Sequence, residues 1–261
     1  MAEPLAAHVR DAHKVKTTEI FGDQATKASL LSALRTSRPA LVYTASHGLG
    51  ATSESQAVQE RYNGAICCHA NGQLTPDQLF AGDDVPRDGA FLEGAVFFQF
   101  ACFGYGTPAE SEYAHWFPET WQKPQRLADR DFIAALPRRL LAHPRGPIAF
   151  MGHLDTAFLH GFADPSEPHT LDRWHARIAP FKKAVDQLLG VQPTGLAMEG
   201  INERYALCNA LLASSYDRVQ KGTVTWTDES LASLLDTWIT RGDAQNYMVF
   251  GDPAVTLRLP S

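Results

Sequence analysis

Cys102 and His47 are the residues of this sequence that could act as a nucleophile and its base. Each closes an apolar run. Ala40 to Ala45 (ALVYTA) leads into Ser46-His47-Gly48, and Gly94 to Ala101 (GAVFFQFA) stops at Cys102, with Gly104 and Gly106 just behind it. Thiolate is the reactive form of cysteine, and an imidazole within reach can take the thiol proton, or return one to a leaving amine, near neutral pH. Gly48 would let backbone approach a substrate closely, and its N–H with that of Cys102 could hold the oxyanion of a tetrahedral intermediate. That set describes acyl transfer. A third run, Gly146 to Gly152 (GPIAFMG), ends near His153-Leu154-Asp155, so His153, Asp155 and the nearby His160 are candidates to line the same cleft. Interior cysteines and hydrogen-bonded histidines are common in any fold, so position has to decide.

The order of elements is what must bring these residues together. Lys14 to Gly22 (KVKTTEIFG) reads as a strand, Thr26 opens a helix with Leu30, Leu31 and Leu34 at helical spacing, and ALVYTA follows as a second strand. This β-α-β order predicts a parallel sheet, because only a crossover returns the chain in the same direction. In such sheets the ligand site lies beyond the carboxyl ends of the strands. The nearly continuous apolar character of GAVFFQFA and GPIAFMG fits strands buried on both faces. Gly64 to Leu74 carries Asn71-Gly72, a hairpin-turn dipeptide, and predicts a protruding β-hairpin; Thr75-Pro76 then opens a helix.

Further helices are expected over Arg130 to Ala142, along the stripe Leu171, Trp174, Ile178, Phe181, Val185 and Leu188, and over Glu199 to Gln220 and Asp228 to Thr240. Short strands at Tyr247 to Phe250 and Val255 to Leu259 flank Gly251-Asp252-Pro253, a turn in which Asp bonds its own backbone. The long segment Gly104 to Asp129, with Trp116 and Trp121, has the length of a lid or recognition surface. There is no internal repeat or low-complexity tract. The reading is a single α/β domain over residues 1–261, with a mostly parallel central sheet flanked by helices and a β-hairpin insertion.

Composition narrows the function classes. The 261 residues carry 23 basic and 29 acidic side chains, a net charge of −6, without the basic clusters that nucleic acid requires. A hydrophobic fraction of 44% argues for a packed core. No stretch approaches the roughly 18 apolar residues of a membrane helix, and Met1 to Lys16 lacks the apolar segment of a secretory signal, so no membrane partner and a cytoplasmic address are expected. Four cysteines (Cys67, Cys68, Cys102, Cys208) make no disulfide scaffold. Cys67-Cys68-His69 lacks a second cluster at zinc-ligand spacing, and neighbours on a strand point to opposite faces, so no metal is expected there. Neither GxGxxG nor a P-loop pattern is present to hold a nucleotide.

At Ala25-Thr26 and its helix, Leu41 to Gly48 (LVYTASHG), Gly72 to Leu79 and Phe97 to Gly104 (FFQFACFG), the chain resembles the caspase-fold cysteine peptidases of clan CD, in particular CHAT domains. Val249 to Arg258 (VFGDPAVTLR) is similar to gingipain-like peptidases. The resemblance implies a three-layer caspase-hemoglobinase fold and a His47/Cys102 dyad with the Gly48 and Cys102 amides as the oxyanion site. It also implies a thioester intermediate, a polypeptide substrate, no cofactor, and the regulatory protein partners with which such peptidases often work. Phe100 stands where caspases carry Gln, or metacaspases Asp, in the first specificity pocket, so aspartate specificity is not expected. Asp155 follows the strand that walls that pocket and would favour a basic P1 residue. A helix N-cap or a solvated loop acid fits Asp155 as well, and an apolar P1 residue stays open. Two other classes remain: a catalytically inactive caspase-like scaffold or interaction module presenting the long loop and hairpin, and a doubly wound protein holding a small ligand at its strand ends.

Overall fold

The computed structural model describes residues 1–70, 74–114, 126–158 and 177–259. Its centre is a four-stranded sheet in the order β1 (Leu41–Ala45), β4 (Val96–Phe100), β7 (Ala149–His153), β8 (Tyr247–Gly251). The first three strands are parallel and the last is antiparallel. Every residue of β4 and β7 is buried, as central strands covered on both faces must be. Between β1 and β4 lie two shorter strands, β2 (Ile66–Cys67) and β3 (Leu79–Phe80), which pair antiparallel; β5 (Gly106–Thr107) and β6 (Phe132–Ile133) form a second small ribbon.

Alternation along β4 sends side chains into two cores. Val96, Phe98 and Phe100 join Ala149 and Met151 against α1 (Ala2–His13), α5 (Ala179–Leu189) and α6 (Glu199–Gln220), through Leu5, Phe181, Leu188 and Ile201. On the other face Phe97 stacks on Phe150 with ring centroids 5.4 Å apart, beneath α2 (Lys27–Thr36) and α4 (Ala135–Leu141), which contribute Leu34, Leu136 and Leu140. The helix α3 (Gln56–Tyr62) follows β1, and α7 (Asp228–Gln245) returns the chain to β8. Capping matches the sequence: Thr26 Oγ1 accepts the Ser29 N–H at 3.1 Å at the start of α2, and Thr227 does the same for Ser230 at 3.2 Å in α7. The mostly parallel sheet flanked by helices is therefore as expected. No described helix is long and apolar enough to cross a membrane.

Several local expectations fail, each for a physical reason. Lys14 to Gly22 is not a strand. α1 ends at His13 and the chain turns away through Lys14 at φ 55°, so this segment does not pair with the β1 edge. Val255 to Leu259 is not a strand either, because the Val255 carbonyl is taken by the Thr194 N–H and the Pro253 carbonyl by the Gly195 N–H. Thr75-Pro76 opens one 3-10 turn, Pro76–Gln78, rather than a longer helix, and the strand that pairs with Ile66–Cys67 is Leu79–Phe80, beyond that turn. The Asn71-Gly72 dipeptide lies outside the described residues, as do Trp116, Trp121, His160 and the Leu171–Trp174 part of the predicted stripe. The helix expected from Arg130 starts at Ala135, since Phe132–Ile133 pairs with Gly106–Thr107. At Gly251-Asp252-Pro253 the Asp252 carboxylate accepts the Ala254 N–H at 2.9 Å, the side-chain-to-backbone turn that the dipeptide predicts.

Candidate active site

Parallel pairing carries the ends of β1 and β4 to one edge of the sheet. Ala45 sits beside Phe100 in the register, and the Ser46 N–H continues the ladder to the Phe100 carbonyl at 3.1 Å. One step further, Gly48 packs on the Cys102 carbonyl so closely that a Cβ on Gly48 would lie 1.9 Å from that oxygen. Only glycine allows this approach. The segment His47–Gly48 and Cys102 therefore abut. The His47 side chain is exposed, whereas Cys102 is half-buried and its Sγ lies 3.6 Å from the Ala157 carbonyl.

The β2–β3 ribbon supports this edge instead of protruding from it. The Cys67 N–H donates to the His47 carbonyl at 3.0 Å, and the Leu49 N–H donates to Ala65 at 3.0 Å. On the far side Gly64, at φ +76°, leaves room for the Phe103 carbonyl, which a Cβ would approach to 2.1 Å. Gln99, buried on β4, ties the same loop down through Nε2 to the Gly64 carbonyl at 2.7 Å. The nucleophile candidate is thus followed by a constrained turn. Phe103 has φ 57°, in the left-handed region that side chains other than glycine rarely enter, and its N–H donates at 2.7 Å to the carbonyl of Asp155, which is itself at φ 71°. Strain of this kind persists where the surroundings over-determine it, and it clusters at functional turns.

Electrostatically the thiol is at rest. Burial pushes the Cys102 pKa up, and the nearby carboxylates of Asp243 and Asp155 push in the same direction. At neutral pH the proton is on sulfur and must be taken by a base during attack. Neither the Gly48 nor the Cys102 N–H donates to a backbone carbonyl among the described residues.

The three residues expected to line a specificity pocket lie elsewhere. Phe100 is a core side chain, 5.8 Å from the Phe181 ring and 6.3 Å from Tyr247, because the pleat turns it toward α5. His153 is fully buried; Nε2 lies 3.1 Å from the Asp243 carbonyl and 3.4 Å from Asp243 Oδ1. Asp155 is neither a helix N-cap nor a solvated acid. It is buried, with Oδ2 accepting from Ser111 Oγ at 2.7 Å and from the Glu112 N–H at 3.2 Å, and Oδ1 accepting from the Thr156 N–H at 2.6 Å. Its carboxylate clamps the start of the long 104–129 segment. In the Cys67-Cys68-His69 tract, Cys68 is buried and His69 faces Asp23 at 3.6 Å, so the three do not converge.

Two features escaped the sequence reading. Cys67 lies beside the candidate dyad, which only the β2 register reveals. Asp243 closes the β7 end from 90 positions away in sequence, at the end of α7, and no local pattern marks it. Comparison of the chain with models of known protein families, with curated proteins and with solved structures finds no match.

Proposed function

We propose that this protein is a cysteine endopeptidase of caspase-like architecture, with Cys102 as nucleophile and His47 as general base and acid. One observation carries the reading: Gly48 is seated on the Cys102 carbonyl, so an accessible imidazole and a half-buried thiol lie at neighbouring strand ends. In the first step His47 takes the Cys102 proton as sulfur adds to the scissile carbonyl. The oxyanion is held by the Gly48 and Cys102 N–H groups. The C–N bond then breaks, the amine leaves with the proton from the imidazolium, and a thioester remains. Water, deprotonated by His47, hydrolyses the thioester and restores the thiol. The raised thiol pKa fits proton removal concerted with attack rather than a standing thiolate.

The test is cleavage of a peptide library by Cys102→Ala. Loss of at least about a thousandfold in rate, with an unchanged far-UV CD spectrum, is expected when a nucleophile of this type is removed. Wild-type turnover by the variant would refute the role. The burial of Phe100, His153 and Asp155 favours a second reading, a caspase-like fold kept as an interaction module. In that case the unmodified protein cleaves nothing in the library and iodoacetamide shows no preference for Cys102.

A further inference from the structure

On the sheet face away from α2 and α4, a side-chain cluster joins α1 to α5. His8 Nε2 and His13 Nε2 point to the same atom, Asp186 Oδ1, at 2.7 and 2.6 Å. Among the described residues this is the one group of three His, Cys, Asp or Glu whose ligand atoms all lie within 4.8 Å of one another. The side chains are 25%, 22% and 42% exposed, so water reaches them. We propose that His8, His13 and Asp186 bind a divalent transition-metal ion of the zinc class, which pins α1 to the body of the protein.

The donor set is the first reason. Two neutral imidazoles and a carboxylate suit zinc and its neighbours, and leave a fourth position for water. Calcium and magnesium prefer all-oxygen sets, which this cluster does not offer. The second reason is convergence. Residues five apart on a helix differ by about 140° around its axis, so two such rings do not meet by helical repeat alone. They meet here because Asp186, near the end of α5, stands between them. The rings are nearly perpendicular, at 80°, with centroids 6.1 Å apart, which leaves each nitrogen facing the carboxylate.

Without an ion, both imidazoles must carry their proton on Nε2 and donate to one oxygen. With an ion, both offer lone pairs instead. Ligand atoms about 2.0–2.2 Å from a tetrahedral zinc stand roughly 3.3 Å apart. The observed 2.6 and 2.7 Å therefore open by roughly 0.6–0.7 Å when an ion enters, within the reach of a rotation of the half-exposed Asp186 side chain. Leu5 is buried on the same helix, so the site fastens an element that already packs on the core.

The experiment is zinc titration of the chelator-treated full chain at pH 7.5, with a chromophoric chelator as competitor. It is done in a Cys67→Ser/Cys102→Ala background to remove thiol-bound metal. One equivalent should bind, and affinity should fall at least tenfold in both His8→Gln and Asp186→Asn. In the parent, zinc should shift the imidazole nitrogen resonances of His8 and His13, which settles the question even if a variant fails to fold. Equal zinc affinity in parent and variants, no stoichiometric binding by the parent, or resonances of His8 and His13 unmoved by zinc would each overturn the site.

Discussion

The ends of β1 and β4 and the end of β7, where β8 begins, lie on the same edge of one sheet and carry similar residue types, yet they are finished in opposite ways. At the first, His47 is exposed beside a half-buried thiol and the loop amides of Gly48 and Cys102 are unused by backbone carbonyls among the described residues. At the second, His153 and Asp155 are buried, and the chain itself consumes their polar atoms through Asp243, Ser111, Glu112 and Thr156. A strand end delivers a side chain to the edge. Whether that side chain meets solvent or protein depends on what arrives from elsewhere, and among the described residues Asp243 of α7 and Ser111 and Glu112 pair with the groups of the second end. Under the proposed function, reactivity and stability therefore fall to different histidines of the same sheet.

The comparison breaks first, and most visibly, at Asp243. Replacing it by Ala removes an acceptor of the half-buried Phe158 N–H, 3.2 Å away, and the buried carboxylate 3.4 Å from His153 Nε2, while the His153 contact with the backbone carbonyl stays. Loss of a hydrogen bond to a charged acceptor, together with the space left by a buried side chain, makes this substitution cost about 3 kcal/mol. His47→Gln, on an exposed side chain, should change stability by less than about 0.5 kcal/mol while removing cleavage. Urea midpoints of the two variants, measured side by side, check this. Similar losses for both would mean that the two ends are built alike.

Gly48→Ala probes the contact between the two strand ends directly. A methyl group 1.9 Å from the Cys102 carbonyl oxygen and 3.1 Å from Ala101 Cβ cannot be accommodated without parting the backbones. Overpacking of this type costs about 2 kcal/mol, and the displacement would also move the two amides assigned to the oxyanion. A thermal melt and a cleavage assay on the same sample should both fall. A variant with normal stability and normal turnover would show that His47–Gly48 is not held against Cys102.

How much of this was legible follows the same division. The strands Leu41–Ala45, Val96–Phe100 and Ala149–His153 were readable as apolar runs, and their glycine- and histidine-bearing ends were readable too, because local composition decides strand burial. Helix α6 coincides with its predicted span, Glu199–Gln220. Phe100 is a pocket residue only by its place in the caspase-like motif, and a run buried on both faces gives no alternation that would show its side chain to face the core instead. His153 and Asp155 were misplaced because their partners lie 90 and 44 positions away, respectively. The α1–α5 cluster was invisible for the same reason, since 178 and 173 positions separate its histidines from Asp186.

The smallest effect concerns Cys67, which links the β2–β3 ribbon to the candidate dyad. Burial raises its thiol pKa from the ordinary 9.0 to about 11, with Cys68 and Cys102 adding to the shift. The folded chain therefore keeps this proton after the unfolded chain has lost it. Between pH 9.0 and about 11 the native state binds more protons, so stability falls as pH rises through that window and levels off above it. Below pH 9.0 the contribution is fully present. Cys67→Ala removes the group while keeping a small apolar side chain, so the alkaline slope of its urea midpoint should be shallower than the parent's, and the two curves should run parallel below pH 8, about a unit under the ordinary thiol value. Other groups titrate in the same range, but they are common to both proteins and cancel in the difference. Identical slopes would mean that Cys67 is solvated, and that the ribbon does not seal the edge on which His47 and Cys102 stand.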